Sequence, residues 1–446
     1  MARTIKIKKG FDIKLNGEAK HTITPLHASH YAVKPTDFTG IFPRLLVKEG
    51  DQVKAGSALF CDKINERIIF GAPVSGTVKE IRRGDKRLLL EVVIEADKEV
   101  LSEDFGKADP LKINREEVIE KILASGLWPV IRQRPYKVIA NPSDKPKSIF
   151  ISAFNTAPLA ADYAFVLKEI QADFLAGLNV LSALTDGKVH IGCDKNTPSL
   201  PTGAKVECTT YSGPHPAANI SVHIASLEPI NKGDIIWTVN MQDVAVLGRL
   251  FTRGIVDTSV LVALAGVEVE NPQYFKTNKG ASVASLTAGK IKSSNVRYIS
   301  GDVLTGAKLT GNGFLSFYDD LLTVIAEGNN YEFFGWALPG AKKLSYSNTF
   351  LSKLMPSKKY SAETNLHGGE RALVMTGIYE KLLPLNVLPM QLIKACIIED
   401  IDLMEKLGIY EVDEEDFALC EFADPSKTEI QSIIRKGLNL IRKEMN

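Results

Sequence analysis

The Gly-Pro-His-Pro turn at Gly213–Pro216, within the run Thr209–Ile230, constrains the local fold more than any other feature of the sequence. Each proline fixes its own backbone φ and pushes the preceding residue towards an extended conformation. A strand-like run, Lys205–Cys208, precedes the turn, and a helix is predicted from Ala217 onwards. A strand, a turn and a helix N-terminus form the binding edge of doubly wound α/β folds. The pattern is compatible with a site at this edge around His215, but it favours a stiff connection packed against a neighbouring domain, with His215 as a capped turn residue.

The length and composition predict a soluble protein of several domains. A chain of 446 residues exceeds one hydrophobic core, so two to four domains are expected. Its 45% of apolar and 24% of charged residues are ordinary values for a soluble protein. The net charge of +1 gives no support to nucleic-acid binding, which needs a basic face. We expect neither a transmembrane helix nor a signal peptide, because the apolar runs are short.

The cysteines give no signature of a metal or cluster site. Their number is odd, their spacing is wide, and no C-x-x-C pair occurs, so reduced thiols are expected. Neither a zinc ribbon nor a cysteine-ligated iron–sulfur cluster is predicted locally. The five positions are Cys61, Cys193, Cys208, Cys396 and Cys420.

Residues 1–105 are predicted to form a barrel-sandwich hybrid domain. Turn glycines alternate with short apolar strands across Phe42–Lys63 and Gly71–Val78. This pattern resembles the biotinyl and lipoyl carrier domains, whose modified lysine lies on a hairpin, and Asp62-Lys63 falls near that position. One hypothesis is therefore a soluble carrier protein with a cofactor on Lys63. The alternative is an exposed lysine that only aids solubility.

Residues 106–256 are predicted to form a Rossmann-like α/β domain, in which strands and helices alternate. The first strand, Ser148–Ala153, is followed by a turn without glycine, Phe154–Pro158. Nucleotide-binding folds need glycine there so that the backbone can approach the phosphates. The sequence therefore argues against tight NAD or flavin binding, although a stand-alone flavin- or NADH-binding protein is a further hypothesis. Other predicted strands are Lys188–Cys193 and Asp234–Val239, and the predicted helices are Glu116–Ser125, a helix from Pro158, and Gln242–Phe251.

Two arginines and two aromatic residues cluster where Pro129 and Pro135 bend the chain. Arginine beside aromatic rings can bind a planar or anionic ligand, or a partner protein. The alternative is a strap between domains in which the arginines lie on neighbouring carboxylates. The four residues are Trp128, Arg132, Arg134 and Tyr136.

The last two predicted domains are a small β-grasp domain, residues 257–334, and a mostly helical domain, residues 335–446. Within the second, helical structure is expected from Glu370, with single helices at Leu388–Leu407 and Ser426–Lys443. The acidic run Asp413–Asp416 is interpreted as a helix N-terminus. Candidate strands of the β-grasp domain are Val260–Val269, Val283–Leu286, Val296–Ser300 and Leu322–Ala326.

A lysine-rich stretch follows Phe333, Phe334 and Trp336. Aromatic residues beside lysines can dock on a membrane partner or on anionic headgroups. The alternative is a local core with solvated lysines. The lysines are Lys342, Lys343, Lys353, Lys358 and Lys359.

Five runs together resemble the NqrA family, the A subunits of sodium-translocating NADH:quinone oxidoreductases. The resemblance covers essentially the whole chain, with the motifs in the expected order. More distantly, the chain resembles the C subunit of the Rnf complex and the flavin-carrying NADH subunit of respiratory complex I. The runs are Phe42–Lys63, Gly71–Ile81, Ser125–Tyr136, Tyr211–Ile224 and Glu399–Cys420.

This resemblance implies a peripheral subunit on the cytoplasmic side of the bacterial inner membrane. It implies the four domains above, with the third an SLBB domain. The complex transfers electrons from NADH to ubiquinone or menaquinone and moves Na⁺ outward, with its flavins and iron–sulfur cluster in other subunits. This subunit would have no catalytic residue and would serve the quinone end and assembly with the adjacent membrane subunit. The quinone or interface candidates are Trp128, Arg132, Arg134, Tyr136 and His215.

Overall fold

Strands from distant parts of the chain join in the same sheets, in a mixed α/β architecture with several sheets. The structure is a computed structural model that describes residues 3–200, 203–328, 332–335, 338–347, 349–355 and 357–445. The strands are β1 (Arg3–Lys6), β2 (Lys20–Pro25), β3 (His30–Val33), β4 (Pro43–Leu45), β5 (Gln52–Val53), β6 (Ala58–Asp62), β7 (Ile69–Gly71), β8 (Gly76–Arg83), β9 (Leu89–Ala96), β10 (Ile131–Arg134), β11 (Val138–Ile139), β12 (Ile149–Ser152), β13 (Val189–Cys193), β14 (Val206–Ser212), β15 (Ile236–Val239), β16 (Ser259–Ala265), β17 (Gln273–Asn278), β18 (Val296–Ser300), β19 (Ala307–Leu309) and β20 (Leu321–Ala326). The α-helices are α1 (Arg115–Ala124), α2 (Tyr163–Leu184), α3 (Ile220–Leu227), α4 (Met241–Arg253), α5 (Val283–Thr287), α6 (Tyr379–Leu382), α7 (Pro389–Ile397), α8 (Ile401–Lys406), α9 (Ala418–Ala423) and α10 (Ile430–Met445).

The largest sheet has seven strands in the order β1-β14-β13-β12-β15-β10-β11. Its first five strands run parallel, and β10 and β11 are antiparallel to their neighbours. Strands β13 and β15 are buried along their whole length, as expected of a parallel sheet covered on both faces. The carboxyl ends of β12, β13 and β14 consequently meet at one edge.

The N-terminal segment connects this sheet to the next one. β1 pairs in parallel with β14, whereas β2 pairs in parallel with β17 of a six-stranded sheet ordered β19-β18-β20-β16-β17-β2. Only from β3 onwards does the chain build the two small sheets, β3-β9-β8-β5 and β4-β6-β7. The first 25 residues, placed with the N-terminal domain by sequence, thus contribute one strand to each large sheet. Lys63 is exposed just after β6.

Helices α2 and α4 cross closely because glycine occupies the crossing point on each helix. A Cβ added to Gly177 of α2 would lie 1.8 Å from the carbonyl oxygen of Val244. A Cβ added to Gly248 of α4 would lie 1.9 Å from the carbonyl oxygen of Asp173. Both distances are far inside van der Waals contact, so the two backbones approach as near as glycine allows.

The structure corrects two helix and strand predictions in the C-terminal half. Val283–Leu286, predicted as a strand, lies in helix α5, because Ser282 caps it by accepting a hydrogen bond from the Ser285 amide. Leu388–Leu407, predicted as one helix, is divided into α7 and α8. Asp400 caps α8 through the Leu403 amide at 2.9 Å, and Glu399 has a positive φ of 56°.

Three further helix starts come later than the sequence suggests. Helix α2 begins at Tyr163 rather than near Pro158, because the Asp162 carboxylate accepts from the amides of Ala164 and Phe165. Residues 370–377 contain no helix, and α10 begins at Ile430 rather than Ser426. The predictions for α1, α4 and β18 are confirmed to within two residues.

None of the helices in the described part of the chain combines the length and apolar character that a bilayer crossing requires. Trp336 lies outside the described residues, as does the side chain of Lys353.

Candidate functional site

The turn after β14 brings His215 to the carboxyl edge of the parallel sheet. Its Nδ1 atom lies 3.1 Å from Oγ1 of Thr156, which follows β12, and its amide donates to Asp12 Oδ1 at 2.9 Å. Burial lowers the pKa of His215, although Asp302 and Asp12 act in the opposite direction. Burial of this residue, of which only 4% is exposed, thus disfavours the charged imidazolium form. The expected strand, turn and helix order is confirmed, with α3 beginning at Ile220.

A second histidine, His223 of α3, fills the space above β13. Its ring stacks on Tyr211 with centroids 4.1 Å apart and lies 5.6 Å from the ring of Phe154. A Cβ added to Gly192 would lie 2.3 Å from this ring, so glycine at the end of β13 makes room for it. Burial lowers the pKa of His223 to about 4, and its Nε2 atom lies 3.0 Å from the Ala217 carbonyl oxygen. The protein's own side chains therefore occupy the edge where a dinucleotide fold would hold phosphates.

Sequence reasoning missed His223 because a histidine in an apolar helix gives no signal by itself. The pairing with Gly192 joins two residues 31 positions apart, on neighbouring elements. A glycine inside a strand was the available clue, since it can indicate close approach of another group.

The structure places two of the predicted site residues, Trp128 and Arg132, in packing between sheets. Trp128 is fully buried; its Nε1 donates to the Ala140 carbonyl oxygen at 2.7 Å, and it packs edge-on against Trp237. The guanidinium of Arg132 lies 4.4 Å from the ring centroid of Tyr318, which precedes β20. Arg132 Nη2 also donates to Asn240 Oδ1 at 2.7 Å. Arg132 is only half-buried, whereas Trp128 has no access to solvent.

Arg134 lies in a buried group of charges that we call the charge cluster. It joins the β10–β11 hairpin to the C-terminal helices. Arg134 Nη2 lies 3.1 Å from both Asp413 Oδ2 and Glu415 Oε1. Lys137 Nζ lies 2.9 Å from Asp413 and 2.6 Å from Glu415. The members of the cluster are Arg134, Lys137, Arg435, Asp413, Glu414, Glu415 and Asp416.

The acidic side of the cluster forms the helix start that the sequence predicts. Asp413 caps a 3₁₀ helix, Glu414–Phe417, in a reciprocal capping box with Asp416. Arg435 of α10 bonds Asp413 at 2.6 Å and also pairs with Glu414. Close by, the rings of Tyr136 and Tyr410 meet edge-on, 6.3 Å apart. The Arg134–Tyr136 part of the predicted site thus binds the chain's own C-terminal region.

Four carboxylates face three cations in this cluster, and the pKa values reflect the imbalance. Burial lowers the pKa of Arg134, but the field of Asp413 and Glu415 outweighs it and raises the value. Burial, reinforced by the Asp413 charge, raises the pKa of Glu414 to about 7. Burial and the Glu415 charge raise that of Asp416 to about 6. Glu414 therefore carries a proton for part of the time near neutral pH.

Replacing Glu414 with glutamine is expected to change how stability depends on pH. Because the folded-state pKa is raised from 4.5 to about 7, the folded protein binds the proton more tightly, and stability falls as pH rises through that window. The shift corresponds to about 3 kcal/mol of unfolding free energy. In urea unfolding, the free energy of unfolding of E414Q should not show this decline. E414Q should therefore be more stable than the parent between pH 4.5 and 8. The control is E116Q on the exposed surface of α1; parallel pH profiles for parent and E414Q would contradict the assignment.

The five predicted site residues do not converge on one pocket. His215 lies at the sheet edge, Trp128 and Arg132 lie between sheets, and Arg134 and Tyr136 face the C-terminal helices. In the described ranges no group of three or more His, Cys, Asp or Glu side chains is arranged to hold a metal ion.

Comparison with known proteins defines the class. Three family models match consecutive parts of the chain: the NqrA N-terminal barrel-sandwich hybrid domain at residues 5–97, the NqrA second alpha/beta domain at 113–256, and the NQRA C-terminal domain at 261–311. The chain is thus a multidomain protein with the domain series of NqrA.

Full-length relatives lead to the same family. The chain is 41% identical to the A subunit of the Na(+)-translocating NADH-quinone reductase of Yersinia pseudotuberculosis, over 99% of this chain and 100% of that protein. Identity to the proteins of the same name from Hahella chejuensis and Neisseria meningitidis is 40%, with the same coverage. This chain belongs to the NqrA family. The NAD⁺-reducing nickel–iron hydrogenase is similar over 51% of the chain at 12% identity and a TM-score of 0.35, too weak a likeness to carry an argument.

Proposed function

We propose that the chain is a peripheral assembly subunit of a Na⁺-translocating NADH:quinone reductase and carries no redox cofactor of its own. It would lie on the cytoplasmic side of the bacterial inner membrane and support the quinone-reducing end beside a membrane subunit. In this proposal its second domain is Rossmann-like and its third a β-grasp (SLBB) domain, with boundaries near residues 105, 256 and 334. The electron transfer from NADH to quinone belongs to the complex, and the isolated chain is not catalytic.

The observation that carries the cofactor-free part of this proposal is the filled edge of the parallel sheet. Stacked His223 and Tyr211 take the place over Gly192 that an open nucleotide site would need. The turn after β12 lacks glycine, and the Thr156 hydroxyl from that turn contacts His215. The names of the relatives, which are subunits of such a reductase, support the same proposal.

Arg132 is the best residue with which to test the quinone-end role. It is half-buried, while Trp128 and Arg134 are enclosed, and a guanidinium is a group that can bind a planar or anionic ligand. In the assembled complex, R132Q should reduce NADH-driven quinone turnover about tenfold or more, with NADH oxidation by an artificial acceptor unchanged. R253Q, at an exposed ion pair on α4, is the matched control.

Two outcomes would change the proposal. Unchanged quinone turnover in an assembled R132Q complex would remove Arg132 from the quinone end. Flavin or iron–sulfur absorption by the purified full-length chain would contradict the cofactor-free role, whereas a colourless chain is expected.

A further inference from the structure

The segment from Glu332 to Tyr360, which we call the lysine-rich segment, exposes large apolar side chains to an unusual degree. Phe333 is 88% exposed and Leu354 is 76% exposed, values that ordinary surface packing does not require. An apolar surface of this kind indicates a contact that the isolated chain does not make. Its exposed members are Phe333, Phe334, Leu338, Leu351, Leu354 and Met355.

The segment folds back on itself, so that parts distant in sequence come near each other. The amide of Leu351 donates to the Pro339 carbonyl oxygen at 2.9 Å. The ammonium of Lys358 donates to the Ala341 carbonyl oxygen at 2.8 Å. A Cβ on Gly340 would lie 2.3 Å from the Phe350 ring, so this turn packs directly on that ring.

The far end of the segment is fixed to the body of the protein. Tyr360 is buried, and its amide donates to the Lys14 carbonyl oxygen at 2.9 Å, while it bridges to Leu15. Lys359 pairs with Glu18 at 2.6 Å. The end of the segment that follows the exposed residues is therefore attached to the body of the protein.

The charge of the segment is strongly one-sided. Residues 332–360 contain five lysines, no arginine and a single carboxylate, in a chain whose net charge is only +1. That carboxylate, Glu332, is paired with Lys343. Lys342 is exposed, four positions after Leu338. The segment thus combines bulky exposed apolar groups with more lysines than acidic residues. Of these lysines, Lys343 and Lys359 pair with carboxylates and Lys358 with a carbonyl oxygen.

This combination fits a lipid surface better than a protein partner. Centres of protein–protein interfaces favour arginine and are depleted of lysine. At a bilayer, a lysine stem lies along apolar material while its ammonium reaches phosphates, and anionic lipid attracts such residues. Exposed phenylalanine and leucine enter the boundary between headgroups and acyl chains. We propose that the lysine-rich segment binds the surface of a bilayer that contains anionic phospholipid.

Vesicle flotation with the purified full-length chain tests this inference. The chain should float with vesicles of phosphatidylcholine and phosphatidylglycerol and remain behind with pure phosphatidylcholine. The variant F333S/L354S should reduce the partition coefficient by about tenfold or more, and K342Q should reduce it by about fivefold and also reduce its dependence on salt. The control L111S/K195Q removes one exposed leucine and one exposed lysine from other surfaces, and should bind as the parent does.

Three results would overturn it: no flotation with anionic vesicles, equal binding to both vesicle types, or equal loss in the control and the segment variants. Flotation only when the vesicles hold the membrane subunits would assign the surface to a protein partner instead. Because the lipid-only vesicles contain no other protein and the readout needs no electron transfer, flotation with them is independent of the proposed function.

Discussion

Replacing Arg134 with methionine is expected to lower the free energy of unfolding by about 3 to 5 kcal/mol, because it leaves buried carboxylates without a partner. Arg134 is 4% exposed, and Asp413, which it faces, is fully buried. In R134M, the four carboxylates of the charge cluster would face only two cations. Calorimetry of the full-length chain measures the loss, and amide hydrogen exchange should rise first in α9 and α10, which the cluster holds in place.

The control for R134M is R253M, which removes a 46% exposed arginine whose two partners, Asp173 and Asp257, still face Arg249. Exposed pairs contribute little, so its cost should stay below about 1 kcal/mol. Adding D413N to R134M should recover part of the loss, because it removes one of the unpaired charges. An R134M protein as stable as R253M would show that the cluster does not hold the C-terminal helices.

Replacing Gly177 with alanine is expected to destabilise the protein by about 3 kcal/mol or more, although alanine is the better helix former by about 1 kcal/mol. The new Cβ would meet the Val244 carbonyl oxygen at 1.8 Å, and that oxygen belongs to the backbone of α4 and cannot rotate away. The helices would have to separate and lose the contact along their length.

G248A should have a similar cost, because its Cβ would meet the Asp173 carbonyl oxygen of α2. Once one substitution has moved the helices apart, the second should cost less, so the double variant should fall short of the sum. G369A is the control, since no atom of the described residues lies within 4 Å of the added Cβ. Thermal unfolding of G177A, G248A, the double variant and G369A measures these stabilities. A G177A protein as stable as G369A would refute the close crossing of the two helices.

Local patterns in the sequence predicted local structure well. Strand β18, helix α1 and the turn between β14 and α3 are confirmed, because each depends on neighbouring residues such as Gly126 after α1 or Pro214 and Pro216 in the turn. The predictions failed where a single side chain determines where a helix begins, as Ser282 does by capping α5 and Asp400 does by capping α8. A propensity pattern does not register one capping hydrogen bond.

The candidate site was harder to predict because its partners are far apart in sequence. Nothing in the local sequence around Arg134 or Asp413 indicates that the fold brings their side chains within 3.1 Å of each other. The acidic run Asp413–Asp416 was interpreted as a helix start, and this prediction is confirmed. The run itself does not indicate that three cations from other parts of the chain pair with it. Likewise, the local sequence does not show that the His223 ring of α3 fills the space over Gly192, because this depends on how α3 packs on the sheet.

The shared N-terminal strands also affect the order in which this chain can fold during synthesis. Arg3 pairs with Thr209, so β1 leaves the ribosome 206 residues before the strand with which it pairs. At translation rates of about 5 to 20 residues per second, that delay is roughly 10 to 40 seconds. For that time β1 is an open strand, while the two small sheets built after it already have all their strands. Strand β1 is therefore among the last strands of the large sheet to find its partner.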